Sequence, residues 1–277
     1  MQLMSLYDQT LRELDKAFMI SPKNFHKMSI QVQRLRRLLS KSSEVEDFPE
    51  EVVFKTKTHF IVMALLKAQI NEGHPVLIQE ALWCLSNICL SSSVRLDTLI
   101  NMGMLKAMKQ YLCIDNLVNF ELIYWGLSNL ISENKDAKQN LISYGFIQFI
   151  FDNFSEIKKS FKLSSIIAWF LANFMIDCSS FDQQMIQSLL INLKELFLAR
   201  EEQEIKSEII FSFSEYIESK NPDYKFLIDL KIIPVFKKLI FLDDYKNESF
   251  LTKIFSKLSF CGEEMIKTFW DDDFKDL

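Results

Sequence analysis

Three tryptophans recur, each with an asparagine four residues on: Trp83 and Asn87, Trp125 and Asn129, Trp169 and Asn173. An indole face attracts a cation through its quadrupole, contributing about 0.5–2 kcal/mol. A carboxamide can both donate to and accept from another chain's backbone. Four residues is close to one helical turn, so each pair shares a helix face. The chemistry on offer is recognition, a cation held on a ring while an extended backbone is gripped beside it. Leu82, Leu85, Ile88 and Cys89 make an apolar stripe next to the first pair. An amide buried there without partners costs about 1–3 kcal/mol, so each asparagine needs one. A peptide lying in an open groove supplies it. So does a neighbouring helix that the asparagine stitches in place.

The spacing identifies the elements that must carry these pairs. The tryptophans stand 42 and then 44 residues apart, in the similar words Leu82-Trp83-Cys84-Leu85-Ser86-Asn87, Tyr124-Trp125-Gly126-Leu127-Ser128-Asn129 and Ala168-Trp169-Phe170-Leu171-Ala172-Asn173. A recurrence of this length in a helical chain indicates stacked helical repeats. Continuing the count gives Phe211 and then Lys253 in the tryptophan position, with Glu215 and Lys257 in the asparagine position. The apolar frame persists through Leu85, Leu127, Leu171, Phe213 and Phe255. A second landmark, Gly103 and then Gly145, suits a tight helix-to-helix corner with positive φ. In later repeats that position holds Leu189, which breaks the pattern, and Lys231.

Each repeat therefore reads as a short helix, a second helix after the corner, and a long third helix bearing the pair. The clearest repeat predicts helices over Val94–Asn101, Leu105–Cys113 and Asn119–Ile131. Leu3–Met19 reads as an amphipathic cap, and Glu263–Trp270 as a further helix before the acidic run Asp271 to Asp276. End repeats need such caps, or their stacking faces would meet water.

Composition narrows the function classes. Hydrophobic residues at 49% and charged residues at 25% describe a folding chain, and 5 Gly with 5 Pro are too few for many tight turns. A net charge of −5 weighs against general nucleic-acid binding. Five cysteines without a C-x-x-C pair indicate a reducing compartment, with no disulfide frame and no zinc site; Cys84, Cys89 and Cys113 fall within apolar helical patterns. Phosphate-binding, dinucleotide and nucleophile-elbow motifs are absent, and His26, His59 and His74 are scattered, so neither an enzyme nor a metal or cofactor site is expected. No apolar run is long enough to span a bilayer and no signal core opens the chain, which predicts an intracellular protein of cytoplasm or nucleus. Arg34, Arg36 and Arg37 form a short basic patch, read as a solvated face or as a contact for an acidic partner. Phe241, Phe250, Phe255 and Phe260 either pack between repeats or cap the end against a partner.

The run Glu80 to Cys89 resembles the third helix of an armadillo repeat, and more narrowly the repeats of the importin-α family. Leu35-Arg36-Arg37-Leu38-Leu39-Ser40-Lys41 is similar to the segment that opens that family's array. The resemblance covers roughly residues 29 to 258 and is strongest in the three Trp/Asn repeats. It implies a right-handed superhelix with a concave groove. Trp83, Trp125 and Trp169 would form slots for lysine stems, and Asn87, Asn129 and Asn173 would clamp the peptide backbone. Glu121, Glu133 and Asp177 would receive the cationic heads. Residues 1 to 29 carry only Arg12, Lys16, Lys23 and Lys27 as basic residues, so no docking on importin-β through the N-terminus is expected.

The expectation is an all-α, armadillo-type α-solenoid: an N-terminal helical cap over residues 1-28, about five repeats over 29-261, and a C-terminal cap with acidic tail over 262-277. Its function is non-enzymatic binding of an extended basic peptide along the Trp/Asn groove, without cofactor, nucleic acid or membrane insertion. The alternative is a structural scaffold subunit of a larger assembly, cytoskeletal or ciliary for example, with no transport role.

Overall fold

A computed structural model describes residues 2–20, 25–41, 50–68, 74–240 and 247–259. The expected C-terminal cap helix, the acidic tail, Phe241, Phe260 and Cys261 lie outside the described residues. Among the described residues every regular element is helical. The chain divides into two compact units, Met1–Asn153 and Phe154–Leu277.

The first unit contains α1 (Gln2–Ile20), α2 (Phe25–Lys41), α3 (Glu50–Lys55), α4 (Thr58–Ala68), α5 (Pro75–Ile88), α6 (Ser93–Asn101), α7 (Met104–Gln110), α8 (Leu117–Glu133), α9 (Ala137–Ser143) and α10 (Phe146–Asp152). Helices α3 to α5 and α6 to α8 are two successive triplets of short, short and long. The long helices α2, α5 and α8 pack side by side, and α1 covers α2. The second unit contains α11 (Phe154–Lys159), α12 (Phe161–Met175), α13 (Gln183–Ala199), α14 (Gln203–Glu218), α15 (Tyr224–Asp229), α16 (Ile233–Ile240) and α17 (Glu248–Ser259), with a 3-10 turn at Cys178–Ser180. Here α12 packs on α14 and α14 on α17.

Local chemistry sets the helix boundaries. Pro75 occupies the first turn of α5, where a missing N–H removes no helical bond. The Asn116 side chain accepts from the Asn119 N–H at 3.1 Å and caps α8. Asp182 and Asp223 cap α13 and α15 in the same way, each at 2.9 Å. Both corner glycines adopt the left-handed conformation, Gly103 at φ 85° and Gly145 at φ 73°. Lys231, in the equivalent position, does so at φ 55° despite its Cβ. Leu189, which broke the sequence pattern, is buried inside α13. Without a residue suited to turning, the expected first and second helices of that repeat run on as one 17-residue helix.

Two expectations need correction. The second helix of the clearest repeat ends at Gln110 rather than Cys113, and Cys113 is exposed. It is Cys84, Cys89 and Cys178 that behave as small buried apolar residues. Burial pushes the Cys89 thiol up to about 12, and the Cys84 thiol up as well, so neither is a nucleophile at neutral pH.

Close approach of α5 and α8 brings the first two tryptophans together. A Cβ on Gly126 would lie 2.9 Å from Ser86 Oγ and 3.1 Å from Ser86 Cα, so any side chain here would force α5 and α8 to shift apart. Ser86 Oγ then donates across it to the Leu122 carbonyl at 2.7 Å. Buried Leu82, Leu85, Leu127 and Ile123 fill the layer behind, each stabilising by about 1.5–3 kcal/mol on burial.

A second tie joins successive repeats at their corners. Lys67 Nζ donates to the Met102 carbonyl at 3.0 Å, Lys109 Nζ to Gly145 at 2.7 Å, and Lys194 Nζ to Leu230 at 2.6 Å. Met102 and Leu230 are the residues that close α6 and α15, where peptide oxygens lack helical partners and favour a cation. The Gly145 carbonyl, at the corner before α10, also accepts from the Phe149 N–H at 3.1 Å. Burial pulls the Lys109 ammonium below the usual lysine range, opposed by the Asp152 carboxylate.

Candidate peptide-binding face

The six ladder residues lie on the long helices, Trp83 and Asn87 on α5, Trp125 and Asn129 on α8, and Trp169 and Asn173 on α12. In the first unit the Trp83 and Trp125 ring centroids are 6.3 Å apart with the planes at 69°, an edge-to-face contact. That distance equals about two residues of extended chain at roughly 3.3 Å each, so alternate side chains of a bound strand would match the separation of these two rings. The two rings touch, however, and leave no slot between them for a lysine stem.

Trp83 is also covered by a cation of the chain itself. The Arg36 guanidinium carbon lies 4.0 Å from the Trp83 ring centre. Arg36 Nε donates to Glu80 Oε2 at 2.6 Å, and Gln33 Nε2 approaches Glu80 Oε1 at 3.4 Å. The Arg36 and Glu80 side chains are only 15% and 13% exposed. Arg36 is therefore not part of a solvated face; within the basic patch it has found an acidic partner inside the fold. Trp83 Nε1 is buried without a hydrogen-bond partner.

The asparagines differ from one another. Asn87 Nδ2 donates to Ser40 Oγ at 3.3 Å on α2, and Asn129 Nδ2 to the Ser86 carbonyl at 3.1 Å on α5. Both side chains are almost buried, and both amides stitch one long helix to the preceding one. Their carbonyl oxygens accept no hydrogen bond from a described residue. Asn173 is half-buried and donates to the Trp169 carbonyl of its own helix at 3.2 Å.

Of the acidic residues, Glu121 and Glu133 are exposed on α8, one four residues before Trp125 and the other four after Asn129. Asp177 is exposed beyond the end of α12, in a left-handed conformation at φ 54° that starts the 3-10 turn. In the second unit the equivalent ladder positions are filled internally. Phe211 packs edge-to-face on Phe250 at 5.1 Å, and Lys253 pairs with Glu215 at 3.8 Å. Lys257 lies 3.7 Å from Glu218. Sequence reasoning missed this internal pairing, although the signal was present: Lys253 falls one repeat after Phe211, beside an acidic residue in the asparagine position.

No family model matches the sequence, and no curated protein does. Solved structures do. A designed armadillo repeat protein in complex with the peptide (KR)4 superposes with a TM-score of 0.71 at 18% identity, covering 90% of this chain and 98% of that one. The fold is an armadillo-type α-solenoid. Computationally designed armadillo repeat proteins for modular peptide recognition give 0.67 at 15% identity, with 90% and 98% covered. A structure concerning the interaction between cadherin and β-catenin is similar at a TM-score of 0.58 and 14% identity, with 96% of this chain and 54% of that chain covered. At these identities the likeness speaks for the armadillo architecture alone. Among the described residues, no helix is long and apolar enough to cross a membrane.

Proposed function

We propose that this chain is a non-enzymatic protein-binding adaptor that grips an extended basic peptide along its Trp/Asn ladder, in the manner of importin-α. One observation carries the reading: α8 presents Glu121, Trp125, Asn129 and Glu133 at successive four-residue steps, an exposed acid at each end and a half-buried ring between. The free carbonyl oxygen of Asn129 supplies an acceptor for a ligand N–H. Trp125 supplies an aromatic face for a lysine stem, and the two carboxylates supply counter-charge. Trp169, Asn173 and Asp177 offer the same residue types on and after α12. The designed relative's (KR)4 ligand is a peptide of this chemistry.

A second reading, an armadillo scaffold built into a larger assembly, is favoured by the stitches that Asn87 and Asn129 make. Both amide donors are spent on the chain itself. A ladder that serves to stitch helices together needs no ligand.

Fluorescence titration with an extended peptide bearing lysines at alternate positions separates the two. Saturable binding in the micromolar range is expected (about −8 kcal/mol at 1 μM). Glu121→Gln/Glu133→Gln should weaken it several-fold and flatten its salt dependence. A wild-type chain that ignores the peptide well above micromolar concentration would leave the scaffold reading standing and remove the adaptor.

A further inference from the structure

The Trp83 position already holds a cation, gripped by an aromatic face on one side and a carboxylate on the other. These are the contacts a ligand lysine would need. We infer that Arg36 is a built-in occupant of the Trp83 subsite, and that it sets one end of the peptide register by denying that subsite to ligand; this rests on the basic-peptide reading above.

The geometry supports occupancy rather than incidental contact. Arg36 stands on α2, the helix next to α5, and its guanidinium carbon lies over the Trp83 ring at 4.0 Å from the ring centre. Its Nε holds Glu80 at 2.6 Å. Guanidinium is more weakly hydrated than ammonium and stacks better on an aromatic face, so a ligand lysine is a poor competitor for the place. Expelling Arg36 would leave the Glu80 carboxylate, only 13% exposed, without its counter-charge and with Gln33 as its remaining contact. Beyond Trp83, Trp125 closes the remaining side by its edge-to-face contact. A ligand meeting this face therefore begins at Trp125.

Removing Arg36 should turn the closed position into a working one. The freed subsite would keep the Trp83 face and the Glu80 carboxylate, one repeat step and about two extended residues from Trp125. The test compares wild type with Arg36→Ala, each titrated with a peptide of two alternately placed lysines and with one extended by a further lysine at both ends. The affinity gained on extension is the quantity read. Arg36→Ala should gain about twofold to thirtyfold more from extension than wild type does, the range of one cation–π contact. Arg36→Lys should return the gain to the wild-type value; a merely structural role for Arg36 would not raise affinity at all. Arg36→Gln serves if the alanine variant does not fold. Binding by the variant alone would also support the inference. Wild-type binding with equal gains in both proteins overturns the inference and leaves the adaptor intact. Absence of binding in both proteins overturns the two together, because an indole face opened beside Glu80 would then have failed to take a lysine.

Discussion

Asn129 donates its amide to the main-chain carbonyl of Ser86, 43 residues earlier, at 3.1 Å. This bond spans the α5–α8 crossing at the place where Gly126 lets the helices touch. The same residue type on α12 does nothing comparable, since Asn173 bonds the Trp169 carbonyl within its own helix. Identical residues at matched positions therefore differ in structural weight. Asn129→Ala should cost about 1–2 kcal/mol, the loss of a nearly buried hydrogen bond that leaves the Ser86 carbonyl short of a partner. Asn173→Ala should cost less than half of that. Urea unfolding of both variants checks the difference. Equal costs would mean that the cross-helix bond contributes nothing of its own.

The corner residue of the later repeat is a conformational liability. Lys231 is exposed and sits at φ 55°, where a Cβ costs roughly 1–2 kcal/mol. Gly103 and Gly145 meet the same demand without that cost. Lys231→Gly should raise stability by about 0.5–1 kcal/mol once the greater freedom of glycine in the unfolded chain is subtracted. Gly103→Ala should lower it by about 1 kcal/mol. A Cβ there would meet no atom within 4 Å, so the loss is backbone strain alone. Thermal or denaturant midpoints of the two variants should move in opposite directions; a destabilised Lys231→Gly would sink the argument.

The repeat architecture was legible because the Trp/Asn period and the corner glycines report backbone geometry, which sequence records directly. Leu189 was legible as a break, though not as the fusion of two helices into α13, because a missing corner does not say what replaces it. The candidate face was legible in its residue types and much less so in its occupancy. Nothing local in Leu35-Arg36-Arg37 tells which arginine reaches Trp83; that depends on how α2 lies against α5. The asparagine donors posed the same problem. Sequence showed that each needed a partner and left two kinds open, and packing supplied the stitch for Asn87 and Asn129. The lysine ties at Lys67, Lys109 and Lys194 escaped notice because their acceptors are backbone carbonyls, which carry no sequence signature.

His59 offers a pH test of the first repeat's packing. It is buried, 3% exposed, stacked on Phe54 at 4.3 Å between centroids, with Nδ1 3.5 Å from the Val53 carbonyl. Burial holds its pKa below the ordinary 6.5; the Arg95 charge acts in the same direction, and the Val53 contact opposes them. The sign follows from which state takes the proton. Above pH 6.5 the ring is neutral in folded and unfolded chain alike, and this group adds no pH dependence. As pH falls through 6.5 the unfolded chain binds a proton that the folded chain resists, so stability drops, and the drop ends only below the lowered folded value. The slope from this one group cannot exceed about 1.4 kcal/mol per pH unit. His59→Gln keeps a group able to bond Val53 and removes the titration. Wild type should therefore lose stability relative to His59→Gln between pH 6.5 and 5.5, with the two curves parallel from 7.5 down to about 7. Subtracting the variant's urea midpoints cancels the carboxylates and the other histidines. Curves that stay parallel down to pH 5.5 would mean that the ring is protonated in the folded state as readily as in water, and that its burial against Phe54 does not hold it neutral.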